Sequence, residues 1–113
     1  MSSSPLELLK KLSDALMGER ERSEPFLGYY FRILYAQGEY AKAGAYNYLI
    51  NGHLLGGYAM LAWPVEYGET GIMSFIVNQD RVIYQNDLGD GTAEIAPAIT
   101  RFDPGSGWTV VPD

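Results

Sequence analysis

The sequence predicts a single α+β domain in which an N-terminal amphipathic helix packs on an antiparallel sheet of four or more strands, followed by a short C-terminal helix. Three observations carry that prediction. Apolar residues recur at helical spacing as far as Met17 and switch to alternating, aromatic-rich runs from Gly28; a change of period marks a change of element. The connections between the later runs are short, which makes consecutive strands antiparallel neighbours. A chain of 113 residues has room for one core, since domains cluster near about 100–150 residues.

The elements follow in order. Ser4-Pro5-Leu6-Glu7 reads as a helix start: Ser4 caps, Pro5 suits the first turn, and Glu7 reaches back to complete a capping box. Leu8, Leu9, Leu12, Ala15 and Leu16 share one helical face, with Lys10, Lys11 and Asp14 elsewhere, so a helix is expected over 5–17. Gly18 suits its C-terminal cap, and the polar run ending at Pro25 makes 18–27 a linker into a sheet-containing body over 28–113. Residues 28–35, 57–63, 72–78 and 82–86 read as four strands, with Arg32 facing water. Residues 46–50 read as a short extra strand turning at Asn51-Gly52. Residues 92–99 read as a short helix capped by Thr92, with Ile95 and Ile99 inward and Pro97 limiting its length. A turn-rich tail from Phe102 to Trp108 runs into a short extended end. The expected core is Leu9, Leu12, Leu16, Phe31, Ile33, Leu61, Phe75, Val77 and Ile83.

Composition narrows the function classes. With 47 % hydrophobic residues, a chain of this size can bury about 65 % of its unfolded surface and fold without staples. There are no cysteines, which removes disulfides, thiolate nucleophiles and Cys-ligated metal sites. A formal charge of −6 opposes attraction to phosphate backbones, so nucleic acid is not an expected partner. The longest apolar stretch, 54–63, is broken by glycines and falls well short of the ~20 residues a membrane helix needs, so no membrane insertion is expected. The N-terminus carries no apolar signal core, so an export signal is not expected within this chain.

The ordered series Gly28-Tyr29-Tyr30-Phe31-Arg32-Ile33-Leu34, Ala36-Gln37-Gly38, Gly56-Gly57-Tyr58-Ala59 and Ala62-Trp63-Pro64-Val65-Glu66-Tyr67-Gly68 resembles the C-terminal part of the domain of unknown function 2950 family of bacterial proteins. The likeness continues through 71–80, Asp87-Leu88-Gly89, Thr92-Ala93-Glu94-Ile95, Phe102-Asp103-Pro104 and Trp108, covering about 26–110. Members are usually longer, with an additional N-terminal half and often an export signal, so the resemblance implies a periplasmic or secreted setting and supplies no activity. Two departures concern the backbone. Arg81 stands where the family tends to have glycine, so it must accept strain or use another turn type. Pro97 stands where an ordinary helix former is usual. The element order is also similar to the globular heads of type IV pilins and pseudopilins, which bears on fold alone.

Catalytic groups are sparse. His53, the sole histidine, follows the turn dipeptide Asn51-Gly52, has no glycine-flanked serine elbow to partner it, and reads as structural or solvated. Glu66 and Glu69 in one loop, followed by Asp80, Asp87, Asp90, Glu94 and Asp103, are the carboxylates from which a two-acid hydrolase would be assembled, with Glu66, Glu69 and Asp87 its leading polar groups, but solvated surface charge is the ordinary role of such side chains and the expected one here. The loop 86–92 makes Asp87 and Asp90 an incomplete calcium cradle, lacking the alternating ligands and terminal glutamate of an EF-hand. An Asx turn leading into a helix cap explains the same residues. No catalytic, cofactor-binding or other metal residue is assigned.

Nine tyrosines and two tryptophans are many for this length. Tyr29, Phe31, Ile33 and Tyr35 share one strand parity and Tyr30, Arg32 and Leu34 the other. Tyr29, Tyr30, Tyr35, Tyr46 and Tyr48 are therefore the candidate partner-binding residues, since clustered exposed aromatics make contact surfaces. The leading expectation is a non-catalytic extracytoplasmic domain acting through protein–protein contacts, its partner the N-terminal half of a longer parent or a second copy. The alternative is a small-ligand or glycan-binding module, in its enzymatic form a carboxylate-based hydrolase, using Tyr and Trp platforms. A concave aromatic cleft would favour the alternative, and an open strand edge or flat apolar patch the first.

Overall fold

The computed structural model describes residues 28–54, 56–105 and 107–112. The helix expected over 5–17, with Leu9, Leu12 and Leu16, and the 18–27 linker lie outside the described residues. Nine strands are described: β1 (Tyr29–Leu34), β2 (Ala36–Gln37), β3 (Tyr46–Asn47), β4 (Leu49–Ile50), β5 (His53–Leu54), β6 (Ala59–Pro64), β7 (Ser74–Asn78), β8 (Ile83–Asn86) and β9 (Thr109–Val110), with one short helix, α1 (Thr92–Ile95). Strands β1, β6, β7, β8 and β9 form one sheet in that order, antiparallel at every step. The four strands read from the sequence are β1, β6, β7 and β8, and the extended end adds β9 as a fifth.

Strand alternation gives this sheet two apolar faces. On one, Phe31, Met60, Ala62, Val77 and Ile83 are buried, with Tyr29, Phe75 and Val111 partly buried around them. Phe75, expected in the core, thus sits at its margin. On the other, Leu34, Ala59, Leu61 and Ile76 pack with Ala41, Tyr48 and Phe102, which arrive from the 36–57 insertion and the C-terminal segment.

Turn chemistry sets the connections. Between β7 and β8, Arg81 N–H donates to the Asn78 carbonyl at 2.9 Å and Asn78 Oδ1 accepts from Asp80 N–H at 3.1 Å. Arg81 has φ 64°, so the chain accepts a left-handed residue there rather than changing turn type. Asn51 and Gly52 both have positive φ, as the tight hairpin between β4 and β5 requires. The single strand expected over 46–50 is split into β3 and β4, because Tyr48 N–H donates instead to the Tyr35 carbonyl at 2.8 Å.

The C-terminal helix differs from expectation in three ways. Its N-cap is Gly91, and Thr92 lies inside, its hydroxyl donating to the Gly89 carbonyl at 2.5 Å. The α pattern stops at Ile95 and tightens into a 3₁₀ turn over Ala96–Ala98, where Pro97 has no N–H to donate. The buried positions are Thr92 and Ala96, one above the other at i and i+4. Ile95 therefore faces solvent, while Ile99 packs against the core.

Candidate protein-contact surface

The motifs singled out in the sequence bind one another. In the first pair, Gly38 N–H donates to the Phe102 carbonyl and Phe102 N–H to the Ala36 carbonyl, at 3.0 and 2.9 Å. A Cβ on Gly38 would lie 2.2 Å from the Asp103 carboxyl, whose Oδ1 accepts from Tyr40 N–H at 2.9 Å. In the second pair, Gly57 has φ 146° and leaves room for Gln79, whose Oε1 accepts from Tyr58 N–H at 3.1 Å. In the third, Gly71 gives way to the Tyr29 ring, whose hydroxyl donates to the Met73 carbonyl at 2.9 Å. These residues hold loops to strands.

A buried polar network does the same. Gln37 Nε2 donates to the Lys42 and Gly44 carbonyls, both at 2.7 Å, while its Oε1 accepts from the Tyr48 hydroxyl at 2.9 Å. Burial pushes the Tyr48 hydroxyl up to about 12, against the opposing pull of a hydrogen bond with Asn78. Tyr48 is 0 % exposed, so of the five candidate tyrosines it presents no surface: a large ring with a satisfied hydroxyl is worth most inside.

The other four are scattered. Tyr29 is partly buried on one sheet face, its ring 6.0 Å from that of Phe75, and burial raises its pKa. Tyr30 lies on the opposite face, 5.5 Å from the Trp63 ring. Tyr46 packs edge-on to Tyr48 and donates to the Gly56 carbonyl at 2.8 Å. Tyr35 is 41 % exposed. A cluster of five tyrosines does not form.

What the structure does bring together lies at the outer edge of β1. Among the described residues β1 pairs only with β6 in the main sheet. The Val65 N–H to Gly28 carbonyl bond, 2.9 Å, fixes the phase of the ladder. Alternate residues bond β6, so the backbone groups of Tyr29 and Ile33 point away from it. At Tyr35 that outward side is taken up by Tyr48 N–H. A groove of about 260 Å³ runs here, lined by Arg32, Ile33, Leu34, Tyr35 and Thr100. Arg32, expected to face water, is half-buried and donates to the Pro97 carbonyl at 2.8 Å and to the Ile99 carbonyl. Its guanidinium thereby holds the end of the C-terminal turn against β1. Leu49 and Ile50, one and two residues past Tyr48, are exposed at 38 % and 48 %. Thr100 was not legible as part of this edge, because it is far from β1 in sequence and has no motif of its own.

The carboxylates do not converge. Glu66 and Glu69 are exposed in the loop after β6. Asp87 Oδ1 accepts from the Tyr67 hydroxyl at 2.6 Å and from Gly89 N–H at 3.0 Å, the Asx turn expected for this loop. The Asp87 carboxylate raises the pKa of Tyr67. Among the described residues no three His, Asp or Glu side chains form a group able to hold a metal ion. His53 is exposed on β5. A second cavity, about 360 Å³, is bordered by Lys42, Asn78, Asp80, Val82, Tyr84, Phe102 and Pro104, and Glu66, Glu69 and Asp87 are absent from it. No described helix is long and apolar enough to cross a membrane.

A family model described as a protein of unknown function, DUF2950, matches residues 2–111, a longer span than the 26–110 carrying the resemblance above. No curated protein and no solved structure matches.

Proposed function

We propose that this chain, which belongs to the DUF2950 family, acts without catalysis, by contact with another polypeptide along the outer edge of β1. The observation that carries the reading is the edge itself: a terminal strand whose Tyr29 and Ile33 backbone groups point outward, beside a groove lined by exposed Tyr35, with exposed Leu49 and Ile50 following Tyr48, whose N–H bonds the Tyr35 carbonyl. Unpaired strand edges recruit extended chain by main-chain hydrogen bonding, and neighbouring pockets select side chains. The sparse chemistry points the same way, because the matching motifs use their polar groups to tie the fold together. The partner segment comes from a second copy or from the N-terminal half of a longer parent, in a periplasmic or secreted setting. The pilin-head-like arrangement of a helix on an antiparallel sheet belongs to the same proposal.

Sedimentation over a concentration series, with and without the N-terminal half of a longer family member added in trans, tests it. Association is expected, and the pair Tyr35→Lys and Ile50→Lys should weaken it at least about tenfold, as charge on an edge blocks strand addition. A chain that stays monomeric and ignores the added half contradicts it.

One observation favours a second reading. The 360 Å³ cavity combines an ammonium, a carboxylate and the rings of Tyr84 and Phe102, and its size is at the lower limit of small-molecule sites. A small polar ligand bound there, with binding lost on Tyr84→Ala, would establish it.

A further inference from the structure

The cavity of about 360 Å³ lies on the sheet face that meets the 36–57 insertion. Tyr84 stands opposite Ile76 across β8 and β7, so it shares the parity that carries that core, and its ring meets Phe102 edge-on at 5.8 Å. Phe102 and Asn78, each 3 % exposed, form the buried side of the cavity. Part-buried Tyr84 and exposed Val82 continue the wall.

Two opposite charges border the same space from separate elements. Lys42 stands in the loop after β2, and Asp80 in the turn between β7 and β8. Among the described residues neither the Lys42 ammonium nor the Asp80 carboxylate is taken up by an ion pair or a hydrogen bond. Their backbones, by contrast, are held. Gln37 Nε2 donates to the Lys42 carbonyl at 2.7 Å, and Asn78 Oδ1 accepts from Asp80 N–H at 3.1 Å. Gln37 and Asn78 are joined in turn through Tyr48, whose hydroxyl donates to Gln37 Oε1 at 2.9 Å and hydrogen-bonds the Asn78 side chain. All three are buried to 3 % exposure or less, and a satisfied buried network is rigid. One relay therefore fixes where both charge bearers leave the backbone, while their charged ends stay free at the cavity.

We propose that this cavity binds a free amino acid with an apolar side chain, its carboxylate on Lys42, its ammonium on Asp80 and its side chain against Tyr84, Phe102 and Val82. The inference rests on the second reading above and names its ligand class. A ligand with one charge would leave the other protein charge to be desolvated without a partner, which costs affinity. A zwitterion meets both with charge-assisted hydrogen bonds, and the two rings and Val82 take up its apolar part. A volume at the small end of ligand sites suits one amino acid better than a longer peptide.

Amide NMR titrations of the full chain with leucine, leucinamide and N-acetylleucine test this. Leucine should shift the amides of Asp80 and Tyr84, leave Ile33 on the β1 edge unmoved, and bind at least tenfold more tightly than either blocked probe. Lys42→Met, which keeps the stem and drops the charge, should erase the advantage of leucine over leucinamide. Asp80→Asn, whose backbone N–H still meets Asn78, should erase the advantage over N-acetylleucine. Each variant should leave the other preference standing. Equal affinity for the three probes, or selectivity that survives both substitutions, would overturn the amino-acid assignment and leave the cavity reading in place. No shift from any of the three would overturn the proposal outright.

Discussion

Gly38 and Asp103 show how a motif can be conspicuous in sequence and structural in purpose. The glycine leaves the space that the Asp103 carboxyl fills on its way to Tyr40 N–H. Gly38→Ala should cost about 1–3 kcal/mol by forcing that carboxyl aside, and less in an Asp103→Ala background, where the space is empty; a double-mutant cycle from urea unfolding measures the coupling. Tyr48 contributes a stabilisation that depends on pH. Folding holds its hydroxyl at about 12, above an ordinary value near 10, so the neutral form is favoured in the folded state. Its contribution is complete below about pH 10 and is lost as pH rises through about 12. The stability advantage over Tyr48→Phe, measured by denaturant unfolding, should therefore be constant to about pH 9 and shrink above it. Composition counted the tyrosines without revealing which would be buried: Tyr48 goes inside because Gln37 meets its hydroxyl, and that pairing crosses a loop.

Elements were legible where periodicity was long. β1, β6, β7 and β8 follow from alternation and short connections, and Leu61 and Val77 are as buried as that pattern requires. Leu61→Ala should cost about 2–5 kcal/mol, and Phe75→Ala, at the rim of its cluster, should cost less; the reverse order in urea unfolding would contradict the two-faced sheet. Short elements were less legible. In 92–99 the apolar Ile95 looked inward, but Thr92 and Ala96 occupy the inner side, and a four-residue helix has too little period to reveal its own face. The 46–50 strand broke because Tyr48 pairs with Tyr35, a tertiary bond that outweighs local strand propensity.

Across the whole molecule the two faces of one sheet serve packing, and the proposed contact falls to its β1 edge. The edge was legible as a segment, residues 28–35, but its groove needed Thr100 and the Arg32 clamp on Pro97 and Ile99, which no local pattern announces. An added strand would take up the outward N–H of Ile33, while the inward N–H of Arg32 already faces β6. Amide exchange at Ile33, compared between dilute chain and chain associated with a second copy or with the N-terminal half in trans, is the most direct test. Exchange at Ile33 should slow at least tenfold on association, with Leu61 in strand β6 unchanged; association that leaves Ile33 exchange untouched would rule out contact through this edge.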